Sequence, residues 1–161
     1  MHVLCAIGKQ GGSEMISRMR EVIGSQHDLH LLHVLDSGPR KTMQEVLFGP
    51  GQLRRTLPPE RVKTLEAAEK AAAESAMEEA RNDAEQAGFK VHTEIQSEIE
   101  PGRPEQIIVR AAHLWKCQLI VILASEGSEG RPKIGPESVG HSARFVLDHA
   151  PCDVLLLREP V

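Results

Sequence analysis

Apolar residues fall along this chain in two alternating rhythms. Val3-Leu4-Cys5-Ala6-Ile7, Leu29-His30-Leu31-Leu32-His33-Val34-Leu35, Leu119-Ile120-Val121-Ile122-Leu123-Ala124 and Val154-Leu155-Leu156-Leu157 are short runs, apolar at nearly every position. Such runs suit strands covered on both faces of a parallel sheet. Phe89-Lys90-Val91-His92-Thr93-Glu94-Ile95 alternates instead, as expected of a strand nearer a sheet edge. Between the runs the spacing widens to three or four. Met15, Ile16, Met19, Val22 and Ile23 lie between Ser13, a capping residue, and Gly24. Leu65, Ala68, Ala72, Ala76, Ala80, Ala84 and Ala87 predict a long amphipathic helix over 60–87 whose contact stripe is mostly alanine and whose stop is Gly88. Pro104 opens a further helix through Ile107, Ile108, Ala111, Leu114 and Trp115, and a short one is expected at about 142–149. Strand alternating with helix predicts an α/β fold: a parallel sheet with right-handed crossovers and helices on both faces.

The 161 residues form one domain by length, with a single core. Turn residues at Gly49-Pro50-Gly51 and Pro58-Pro59 mark 37–59 as a mobile, partly helical excursion. A net charge of -4 lacks the basic surplus that carries non-specific nucleic-acid affinity, and 2% aromatics leave no platform for stacked bases. Neither a membrane-length apolar run nor an apolar leader is present, so a cytoplasmic protein with no nucleic-acid or membrane partner is expected. Cys5, Cys117 and Cys152 form no CxxC and read as small apolar residues.

Ligands of open parallel sheets sit at the carboxyl ends of the strands. Here those ends carry Ile7-Gly8 and a loop with Gly127, Gly130, Gly135 and Gly140, the last opening a helix, where glycine amides can cradle a phosphate. His27, His30 and His33 are three apart, so on a strand they alternate between faces and do not converge on a metal. No GxxxxGK[ST], GxSxG or paired-carboxylate pattern is found, so no catalytic residue is assigned.

The spacing Gly127-x2-Gly130-x9-Gly140, followed by a helix and His149-Ala150-Pro151-Cys152-Asp153-Val154, closely resembles the C-terminal signature of the universal stress protein family. The second strand with Asp36, the segment Gly88-Phe89-Lys90-Val91 and the turn Gly102-Arg103-Pro104 are similar to other parts of that family's pattern. The resemblance implies a single Rossmann-like domain of the adenine nucleotide alpha hydrolase type, its five parallel strands ordered 3-2-1-4-5. It also implies a stress-response signalling role, a homodimer paired through the strand at 154–157, and an adenine nucleotide, ATP or AMP, which Mg can accompany. The matching site positions are Ile7, Gly8, Val34, Gly127, Gly130, Gly140, His141 and Ser142. Gly8 stands where ATP-binding members of the family usually carry Asp, and His141 where they carry Ser or Thr. Glu126, Glu129 and Glu137 outnumber Arg131 and Lys133 in the glycine loop. The alternative is a dimeric module that has lost the nucleotide and docks an unknown protein partner. If nucleotide binds, Gly130 and Gly140 are expected to serve ligand rather than fold, and a protonated His141 to donate to phosphate, strengthening binding as pH falls.

Overall fold

The computed structural model describes residues 1–8, 12–35, 58–97, 103–124 and 139–158. Five strands, β1 (His2–Ala6), β2 (Asp28–Leu35), β3 (Lys90–Ser97), β4 (Leu119–Leu123) and β5 (Asp153–Leu157), make one parallel sheet in the order β3-β2-β1-β4-β5. Among the described residues four helices accompany them: α1 (Gly12–Ile23), α2 (Pro59–Gln86), α3 (Pro104–Leu114) and α4 (His141–His149). The expected strand order is therefore met.

β1 and β4 lie centrally, where apolar side chains are needed on both faces. Val3, Leu4, Cys5, Ile120 and Val121 are accordingly fully buried. Val3, Cys5, Leu29, Leu31 and Val121 turn to the face covered by α1 and α2, through Met15, Met19, Met77 and Ala80. Leu4, Leu32, Ile120 and Ile122 turn to the other face, covered by α3 and α4 through Ile108, Ala111, Ala143 and Val146. Among the described residues β3 pairs only with β2, from Asp28↔Lys90 to Leu35↔Ser97, and its alternation follows from that edge position. Val91 and Ile95 pack on the core beneath α2, while His92 and Glu94 face outward.

Three sequence expectations need correction. α1 starts at Gly12, so Ser13 lies inside its first turn, its hydroxyl 3.5 Å from Glu79 Oε1 of α2, rather than capping it. On α2 the buried positions are Ala73, Met77, Ala80 and Ala84. Ala68 and Ala72 are exposed. In an alanine-rich helix several stripes have nearly equal hydrophobicity, and the single large apolar residue of the second half, Met77, selects the one that meets the sheet. Finally, α2 begins at Pro59, the last residue of the expected excursion, most of which lies outside the described residues. The end of α2 is as expected: Gly88 takes φ 94°, and the Phe89 amide returns to Ala84 O at 3.0 Å, closing the last turn.

Candidate functional site at the carboxyl ends of the strands

β1 runs out at Ile7-Gly8, and the Ile7 amide still donates to Leu32 O at 2.8 Å, holding the turn against β2. The Ile7 carbonyl is fixed from the same strand: His33, only 5% exposed, places Nδ1 2.9 Å from Ile7 O, and a carbonyl there requires the N–H tautomer at Nδ1. His33 was not among the residues expected at the site. Its only sequence signal is a polar residue inside an apolar strand. Gly8, beyond this bond, is exposed and offers no carboxylate.

On the α3/α4 side, Val34 and Val139 pack against the cluster that contains Ala143 of α4, which brings the end of β2 and the start of α4 onto one face. Gly140 precedes α4 with φ 80° and ψ 159°, a region essentially restricted to glycine, and the first helical bond runs from the Arg144 amide to its carbonyl at 3.1 Å. The expectation that Gly140 serves ligand alone is therefore not met: the backbone itself demands glycine there. His141 and Ser142 follow, both exposed, and as residues of the first turn of α4 their amides have no acceptor within the helix. Gly127 and Gly130 lie outside the described residues.

The structure adds a residue that sequence did not single out. Glu105, in the first turn of α3, is 3% exposed, although a carboxylate at that position normally points to water. Its Oε2 receives the Ser142 hydroxyl at 3.5 Å, and its Oε1 lies 3.3 Å from His141 Nε2. That approach is within ion-pair range but lacks hydrogen-bond alignment, so Oε1 has no hydrogen-bond partner among the described residues. The carboxylate thus sits between the N-termini of two helices, whose positive ends favour it. It also engages the imidazole expected to meet phosphate. Among the described residues, no three or more His, Cys, Asp or Glu side chains form a group that could hold a metal ion. His30 and His33 do fall on opposite faces of β2: His33 holds Ile7 O, whereas the ring of His30 stacks on Trp115 at 5.0 Å.

A family model, described as Universal stress protein family, matches residues 1–158. The chain belongs to the universal stress protein family. Solved structures agree on the fold. Universal stress protein UspA from Lactobacillus plantarum shares 20% identity with a TM-score of 0.63, covering 98% of this chain and 97% of that one. The universal stress protein from Archaeoglobus fulgidus, in complex with dAMP, shares 15% identity at a TM-score of 0.59, with 97% and 96% covered. A family protein from Arabidopsis thaliana with AMP bound shares 16% identity at a TM-score of 0.61, covering 100% of this chain and 93% of its own. No curated protein matches the chain. In this family member, the glycine-led start of α4 and the turn after β1 lie where an open parallel sheet binds ligands, and no described helix is long and apolar enough to cross a membrane.

Proposed function

We propose that this universal stress protein binds an adenine nucleotide at the carboxyl ends of β1, β2 and β4 and acts as a homodimeric, non-catalytic signalling protein of the stress response. The observation that carries the reading is the α4 N-terminus: Gly140, in a conformation that only glycine adopts readily, leads into the amides of His141 and Ser142, which have no acceptor within the helix and suit a phosphate. The turn at Ile7-Gly8, fixed by His33, supplies exposed main chain without a side-chain barrier, and Val34 supplies apolar surface beside α4. Relatives of the same fold hold AMP, dAMP and cAMP, which supports adenine as the base.

Protein purified without added nucleotide, then denatured, should release AMP, ADP or ATP detectable by mass spectrometry. If none is released and none rebinds on titration, the reading gives way to the partner-docking module, for which Gly8 and the engaged His141 are the supporting features.

A further inference from the structure

We propose that the buried Glu105 carboxylate, set between the N-termini of α3 and α4 and 3.3 Å from His141 Nε2, is the specificity-determining group of the site. It selects adenosine ligands by phosphate charge, accepting a nucleoside or monophosphate and rejecting a triphosphate. The inference rests on the nucleotide reading above and deepens it.

Two features of Glu105 carry it. First, the carboxylate occupies the positive field that a phosphate would use, because the helix ends that attract an external anion already face this internal one. Its side chain is 4% exposed, so water screens it poorly, and its sole ion-pair partner among the described residues is His141, itself 72% exposed. Every further negative charge brought to the first turn of α4 is therefore repelled by a charge that cannot move into solvent. Second, Oε1 lacks a hydrogen-bond donor among the described residues. Ribose hydroxyls can donate to it, whereas the oxygens of an ionised polyphosphate only accept. AMP and ATP carry the same ribose hydroxyls, so the unpaired oxygen favours adenosine ligands in common, and the number of phosphate charges sets the choice among them.

Calorimetric titration of wild type and Glu105→Gln with AMP and with ATP, at neutral pH and fixed ionic strength, tests this. Wild type should bind AMP at least ~10-fold more tightly than ATP, and the neutral, equally sized Gln should raise ATP affinity more than AMP affinity, lowering the preference for AMP by about ten-fold. Wild type binding both ligands equally would overturn the proposal without any variant, and so would an AMP/ATP ratio unchanged by Glu105→Gln. In both cases the nucleotide reading would stand. Failure of wild type to bind either ligand would instead remove the nucleotide reading, and this inference with it.

Discussion

At the scale of single residues, conformation and burial decide what each group can do. Gly140 is the clearest case, since φ 80° and ψ 159° exclude a side chain for backbone reasons alone. Gly140→Ala should cost about 1–3 kcal/mol, read as a lower urea midpoint or a melting temperature lower by roughly 2–10 °C. An unchanged midpoint would mean that the turn relaxes freely. The thiols are the converse case, as burial first and then the neighbouring Cys117 push Cys5 up, and burial together with Cys152 holds Cys117 up at about 11. Neither should react with a disulfide reagent at neutral pH until the protein is unfolded, and rapid labelling of Cys5 in the native state would contradict the described core. Glu105 shows why part of the site was not legible in the sequence. A carboxylate one residue after a helix-opening proline is ordinarily a solvated partner of the helix dipole, and only the arrival of α4 from residues 36 positions later turns it inward.

At the scale of elements, the central strands β1 and β4 were the most legible because burial on both faces demands an apolar residue at nearly every position. Helix faces were less so: in α2 the choice among alanine stripes depends on the sheet beneath it. Met77→Ala should therefore cost about 2–5 kcal/mol in chemical denaturation, while Ala72→Ser, on an exposed position, should stay within ~0.5 kcal/mol. Equal effects would restore the stripe read from sequence. The pairing of β1, β2 and β3 also aligns side chains that sequence spacing could not bring together. His2, His30 and His92 lie side by side, with ring centroids 5.8 Å and 5.0 Å apart, and Trp115 covers His30. Asp28 faces this row, 3.8 Å from His2 and 3.6 Å from Lys90, and Glu94 lies beyond. Burial first, then the neighbouring His92 and His2, lower the pKa of His30 below its ordinary value, against a smaller opposing pull from Asp28 and Glu94. The unfolded chain, with His30 near ~6.5, then takes up its proton before the folded one. Stability should be complete above that pH and decline as pH falls through the window below it. Denaturation midpoints compared between wild type and His30→Gln should show a shallower acid decline in the variant; parallel declines would assign the loss to other groups.

At the scale of the whole molecule, β5 has no second strand partner among the described residues, and Val154, Leu155 and Leu156 are only half buried. An apolar edge of that kind invites pairing with another strand, and symmetric pairing with a second copy would close it. Sedimentation should give a dimer at tens of micromolar protein, and Leu156→Lys should shift it toward monomer; a wild-type monomer, or a dimer indifferent to the substitution, would contradict pairing through β5. The central claim is that the carboxyl ends of the strands hold an adenine nucleotide at the start of α4. Titration of AMP into isotopically labelled protein, followed by amide resonances, tests it most directly. Saturable shifts are expected at Gly8, Val34, Gly140, His141 and Ser142, with β5 and the His92 edge unmoved. Saturating AMP that shifts none of these amides, or only those of a different surface, would contradict it.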